Sequence, residues 1–259
     1  MDEIIFSVII PFLGTILGSA CVFFVKGKMS SSVQRAFSGF AAGVMIAAAI
    51  WSLILPSFDQ SSNMGKFSFI PVVIGLWLGF AFLMILDKVV PHVHIESDET
   101  EGLSCNFKKS TMTALAVALH NLPEGMAVGV VLASSQVAGS NVSTSMAIAL
   151  AIGIAIQNFP EGAIISLPLN NCGVKKSKTF ALGALSGVVE PLGAVVTLLL
   201  ASLVTPVLPY LLSFAAGAMI YVVVEELIPE MSAGKHSHIG TIFFAVGFSL
   251  MMILDVILG

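Results

Sequence analysis

The sequence predicts an all-α polytopic membrane protein, with eight transmembrane helices folded as a 3+2+3 inverted-repeat bundle. Three observations predict it. Hydrophobic residues make up 57% of the 259 and charged residues only 10%, with a mean hydropathy of +1.01. A soluble domain carries about 25% charged residues. Apolar segments of about 20 residues, the length that crosses a bilayer, fit the chain eight times. Finally, short motifs in the first half return in the second half, five spans later.

In chain order the spans fall at 4–25, 36–56, 68–90, 111–133, 145–168, 179–203, 209–229 and 239–258. Span 1 has the length of a signal peptide, but Asp2 and Glu3 stand where a basic n-region belongs. It is therefore expected to stay as a span. Span 2 carries Phe40-Ala-Ala-Gly-Val-Met45-Ile46, which span 7 repeats as Phe214-Ala-Ala-Gly-Ala-Met219-Ile220. Span 3 carries Gly79-Phe-Ala-Phe-Leu-Met-Ile-Leu-Asp87, which span 8 repeats as Gly247-Phe-Ser-Leu-Met-Met-Ile-Leu-Asp255. Spans 1 and 6 share only a Pro-(Phe/Leu)-(Leu/Gly) start. Copies five spans apart run in opposite directions, so the two-fold axis falls between spans 4 and 5. Inverted-repeat transporters place their substrate at such a midplane interface. The expected organisation is one transmembrane domain over 1–259. Its parts are repeat 1 at 1–91, a loop at 92–110, a central helix pair at 111–168 and repeat 2 at 179–259.

Lysine and arginine set the orientation. The odd-numbered loops hold Lys26, Lys28, Arg35, Lys88, Lys108, Lys109, Lys175, Lys176, Lys178 and Lys235, and the other side holds Lys66 alone. The positive-inside rule then puts both termini outside and loop 3 in the cytosol. The expected location is the plasma (cytoplasmic) membrane. Net charge of −4 adds nothing about partners. Three scattered cysteines, Cys21, Cys105 and Cys172, form no CxxC pair and imply neither a disulfide framework nor a thiolate metal site.

Two near-identical hexapeptides organise the centre: His120-Asn121-Leu122-Pro123-Glu124-Gly125 in span 4 and Gln157-Asn158-Phe159-Pro160-Glu161-Gly162 in span 5. A charge at bilayer depth costs roughly 2.5–3.5 kcal/mol on insertion scales. In a helix, His120 and Glu124 are i and i+4 and share a face, as do Gln157 and Glu161. Asn121 and Asn158 lie about 100° round from those first residues. Each proline lacks the N–H that would bond four residues back, which frees the Leu119 and Ile156 carbonyls and favours a kink. Glu190, followed by Pro191, reaches the same depth in span 6, and Met45 does so in span 2. Bare charges there would be prohibitive unless they hold protons or bind cations. Imidazole suits late first-row ions, carboxylates suit any divalent ion, and a thioether adds softness. Met45, His120, Glu124, Gln157, Glu161 and Glu190 form a mixed set rather than a closed tetrahedral one. That favours a transient site over structural zinc. Met45 fits ordinary helix packing equally well.

Other polar residues extend this line. Asp59 at the outer surface draws cations to a mouth or is simply a solvated loop acid, and Ser52 lies on one face with Met45 and Asp59. Towards the cytosol, Glu225, Glu226 and Glu230 of span 7, with His236 and His238 of loop 7, form an exit ladder or else cap and anchor a helix end. Loop 3 carries His92 and His94 followed by Glu96, Asp98, Glu99 and Glu101. That pattern is a weak metal trap or a solvated linker. Asp87 and Asp255 occupy mirror-related helix ends, where capping is the plainer role.

The hexapeptide pair, eight spans and outside termini resemble the ZIP family of divalent-metal transporters, in particular its prokaryotic-type GufA branch. The resemblance covers essentially the whole chain. It implies a 3+2+3 bundle that moves Zn²⁺, with Fe²⁺, Mn²⁺ and Cd²⁺ as alternatives, toward the cytosol through a site that can be binuclear. By position, one ion would take Met45, His120, Glu124, Gln157, Glu161 and Glu190. A second would take Asn121, Glu124, Asn158, Glu161 and Glu190, with the glutamates bridging. Many members have His at Gln157 and some have Asp at Asn158, and losing those ligands weakens both positions. The His-Glu-x-Pro-His-Glu motif of another branch is absent.

The implied partners are divalent metal ions and the lipid bilayer. A homodimer is compatible, and no nucleic acid, organic cofactor or enzymatic activity is expected. The rival class is an intramembrane metal-dependent hydrolase. It calls for a His-rich set with a general base, as in His-Glu-x-x-His, which the chain lacks; glutamates on broken helices fit transit better. A metal exporter is the other alternative, because residues alone do not fix direction.

Overall fold

The computed structural model describes residues 2–25, 29–92, 109–138, 140–171, 173–203, 207–234 and 236–258. His94, Glu96, Asp98, Glu99, Glu101, Cys105, Cys172 and the loop lysines Lys26, Lys28, Lys108 and Lys235 lie outside the described residues. Among the described residues, eight helices are long and apolar enough to cross a membrane: Asp2–Phe24, Ser31–Gln60, Phe69–Val89, Thr111–Ser135, Thr144–Asn171, Lys176–Leu200, Leu208–Ser232 and Ile239–Leu258. These are spans 1 to 8 below. The described residues contain no strand. Span 2 starts ahead of its apolar stretch because Ser30 caps it, accepting from the Val33 N–H at 3.3 Å. Caps of this kind satisfy one of the donors left over at a helix start.

The spans pack mainly as pairs: 1 with 5, 2 with 8, 3 with 7 and 4 with 6. Exchanging 1 for 6, 2 for 7, 3 for 8 and 4 for 5 maps this set of pairs onto itself. The correspondence holds at single residues. A Cβ on Gly43 would lie 2.1 Å from the Phe244 carbonyl oxygen, and one on its counterpart Gly217 would lie 2.2 Å from that of Leu76. Gly79 meets the Phe214 carbonyl as Gly247 meets that of Phe40, both at 2.1 Å. Between helices in lipid there is no hydrophobic drive to associate, so close backbone approach over small residues supplies the packing. Spans 2, 4, 5 and 7 are the more buried, and spans 3 and 8 the most exposed. Trp77, Val256 and Ile257 are among the large apolar residues turned outward, as a hydrocarbon surround requires.

Spans 2 and 7 each contain a wide π turn, at Ala49–Ile54 and Val223–Leu227, followed by Pro56 and Pro229. Counting from the shared Phe-Ala-Ala-Gly motif, both turns start at the same repeat position. Each inserts an extra residue into its helix and re-aims the side chains beyond it. The hexapeptide helices, by contrast, run unbroken through Pro123 and Pro160, which corrects the expectation of helices broken at those motifs. The break falls in span 6, between Lys176–Ser186 and Val189–Leu203. There the Glu190 N–H closes a tight turn on the Gly187 carbonyl at 3.1 Å. Pro191 has no N–H to offer that carbonyl.

Candidate metal centre

Spans 4 and 5 place the two hexapeptides side by side at the middle of the bundle. Asn121, Glu124, Gln157 and Asn158 are fully buried, and Glu190 and Glu161 retain 1% and 8% exposure. Gln157 Nε2 donates to Glu124 Oε1 across the two helices. The break in span 6 puts Glu190 in the first turn of the second half, where three donors converge on its carboxylate. Thr15 Oγ1 donates to Oε1 at 2.7 Å, Asn121 Nδ2 to Oε1 at 3.0 Å and Asn158 Nδ2 to Oε2 at 2.9 Å.

The asparagines also show how spans 1 and 6 correspond. Asn121 Nδ2 reaches the Ser186 carbonyl and Asn158 Nδ2 reaches that of Pro11, each at 3.4 Å. Pro11 is thus the counterpart of Ser186, Thr15 that of Glu190 and Gly18 that of Gly193. Thr15 is fully buried and was missed by the sequence reading. The only signal was a hydroxyl at mid-depth of span 1, in a position whose counterpart carries a carboxylate.

Five buried acceptor oxygens around this point have no hydrogen-bond donor among the described residues: Asn121 Oδ1, Glu124 Oε2, Gln157 Oε1, Asn158 Oδ1 and Glu161 Oε2. Orphaned acceptors at low dielectric are costly, and a dehydrated cation is a partner that satisfies oxygens of this kind. Among the described residues, no three His, Cys, Asp or Glu side chains gather closely enough to hold an ion. The carboxylates are parted, Glu124 to Gln157 and Glu190 to the asparagines, with amides filling the gaps.

His120 contacts Glu226 through Nε2 and Oε1. Glu226 is buried, because the π turn of span 7 points it inward. Glu161, His120, Ser38 and Glu230 line one cleft with Val117, Leu227 and neighbouring apolar residues. It lies on the side of the hexapeptides that faces the lysine-rich loops. Ser38 Oγ donates to Glu230 Oε2 at 2.9 Å.

Met45 is fully buried in the apolar core together with its counterpart Met219. Ser52, in the π turn of span 2, donates to Asp255 Oδ1 at 2.8 Å; both are buried, so Asp255 is engaged across helices rather than capping an end. Asp59 and Glu225 are exposed. His236 and His238 are exposed with ring centroids 4.9 Å apart. His92 is fully buried, its Nδ1 2.8 Å from the Val90 carbonyl and its Nε2 3.0 Å from Asp87 Oδ1. Tyr221 donates to the other Asp87 oxygen at 3.2 Å.

The family model described as ZIP Zinc transporter matches residues 98–255. Relatives span nearly the whole chain. The chain is 34% identical to "Zinc transporter ZIP11" of Homo sapiens, over 95% of this chain and 94% of that protein. It is 36% identical to "Zinc transporter ZIPB" of Bordetella bronchiseptica, over 96% and 79%. It is 35% identical to "Zinc transporter GufA" of Myxococcus xanthus, over 91% of each. With its spans, its paired hexapeptides and these matches taken together, the chain belongs to the ZIP family of zinc transporters.

Proposed function

We propose that the chain carries Zn²⁺ through the membrane toward the cytosol, with Fe²⁺, Mn²⁺ and Cd²⁺ as competing cargo. The observation that carries this reading is the group of five buried acceptor oxygens without donors on spans 4 and 5. A fixed polar scaffold would satisfy its own acceptors, whereas a passage leaves them for the ion. The family consists of transporters rather than enzymes, which leaves a hydrolase without support. The transit ligands are Met45, His120, Glu124, Gln157, Glu161 and Glu190, with Asn121 and Asn158 added for a second ion. The inward-facing cleft lined by His120, Glu161 and Glu230 supports release on the side of the lysine-rich loops. In this reading the protein sits in the plasma membrane with both termini outside. Its units are repeat 1 over 1–91, the central pair over 111–168 and repeat 2 over 179–259. A homodimer is compatible with its outward apolar faces.

The test is uptake into proteoliposomes, with each metal offered in turn. Saturable zinc accumulation above empty liposomes is the expected result. No accumulation of any divalent metal would overturn the reading.

A further inference from the structure

Thr15 stands at the junction of spans 1, 5 and 6, in the place that the two-fold exchange assigns to a second Glu190. Space is cleared for it on two sides. A Cβ on Gly187 would lie 2.9 Å from Thr15 Cβ and Cγ2 and 3.0 Å from Glu190 Oε1, and one on Gly162 would lie 2.3 Å from the Thr15 carbonyl oxygen. The Thr15 hydroxyl is fully buried and donates to Glu190 Oε1 at 2.7 Å.

A carboxylate has about four lone-pair sites, two on each oxygen. Oε1 of Glu190 already accepts from Thr15 and Asn121, so both of its sites are filled. Among the described residues Oε2 accepts from Asn158 alone and keeps one site. Glu190 can therefore offer a passing cation a single lone pair, from Oε2. We propose that Thr15 is a specificity-determining positioning residue: by saturating Oε1 it holds Glu190 to one-oxygen ligation, which favours a small cation of low coordination number over larger ones. Zinc is satisfied by about four ligands. Larger cations take more ligands; calcium, for one, takes about six to eight oxygens and can use a carboxylate through both oxygens. Removing the hydroxyl returns one lone pair to Oε1 and opens the two-oxygen mode.

This rests on the reading of Glu190 as a ligand for a transported ion. The experiment compares Thr15→Val, which keeps the shape and loses the hydroxyl, with Thr15→Ser, which keeps the hydroxyl. Thr15→Ala serves as a second hydroxyl-free variant should the valine one insert poorly. Initial uptake rates of Zn²⁺, Cd²⁺ and Mn²⁺ into proteoliposomes give kcat/KM for each ion. The expected result is that Thr15→Val and Thr15→Ala raise the Cd²⁺ to Zn²⁺ and Mn²⁺ to Zn²⁺ ratios about tenfold, the scale of one hydrogen bond to a charged group, while Thr15→Ser leaves them near wild type. A loss shared equally by all three ions, or a shift in Thr15→Ser as large as in Thr15→Val, would overturn the proposal. Failure of the unaltered protein to carry any of these ions would instead overturn the transport reading itself.

Discussion

His120 Nε2 meets Glu226 Oε1, so the histidine of the span 4 hexapeptide is joined to the π turn of span 7. On the proposed transit route, an ion leaving His120 toward the cleft would meet the Glu226 carboxylate. Glu226→Gln keeps the shape and removes the charge. It should lower the maximal zinc uptake rate roughly tenfold, the scale of one charge-assisted contact, with a smaller change in KM. Initial-rate uptake over a range of zinc concentrations separates the two parameters, and a pure KM effect would place Glu226 in binding rather than release.

Glu124 and Glu161 each hold a buried oxygen with no donor. Glu124→Ala or Glu161→Ala should abolish zinc uptake while the protein still inserts and elutes as one species. Near-normal uptake by either variant would remove that residue from the passage.

The orientation is open to labelling. In a background without native cysteines, Lys66→Cys should react with a membrane-impermeant thiol reagent added to intact cells, and Ser237→Cys should not. The reverse pattern would invert every inner and outer assignment made from the lysine count.

Protons and zinc compete for the same lone pairs. Carboxylates and imidazole must be unprotonated to ligate, and an ordinary imidazole gains its proton near pH 6.5, so acidification should weaken zinc binding. Calorimetric titration in buffers of different ionisation enthalpy counts the protons displaced. That count should be above zero from neutral to mildly acidic pH, and a zero count throughout would remove competition at the site.

The backbone seams set a stability prediction. Gly43→Ala and Gly217→Ala each push a methyl into a facing carbonyl at 2.1 and 2.2 Å. Each should cost about 1–3 kcal/mol, as overpacking does. Melting temperatures of the purified variants should fall together, since the two glycines occupy counterpart positions. A fall in one alone would break the equivalence of the repeats.

The extent of this legibility differs from span to span. Hydropathy placed all eight spans, and the Phe-Ala-Ala-Gly and Met-Ile-Leu-Asp motifs matched spans 2 and 3 to 7 and 8, because packing over glycine demands particular residues. Spans 1 and 6 resisted matching. Their correspondence runs through backbone carbonyls of Pro11 and Ser186, which leave no trace in side-chain identity, and through Thr15 against Glu190, which differ in type. The π turns were hidden for a similar reason, since a surplus residue within a continuous helix has no compositional mark. From its acidic neighbours His92 reads as part of a weak metal trap or of a solvated linker, and it packs against Asp87 instead. Ser52 was placed on the route by periodicity, but its partner is Asp255, 203 residues away.

The interruption of span 6 turns one membrane-long helix into two shorter dipoles laid end to end. Their opposed poles, each about half a charge in size, meet at mid-depth. Glu190 sits in the first turn at the positive pole, and the Ser186 carbonyl ends the helix at the negative pole. The Asn121 amide spans both, donating to the carbonyl and to the carboxylate. The main chain thus supplies part of the field felt by a cation at this depth, and exchanging side chains leaves that part in place.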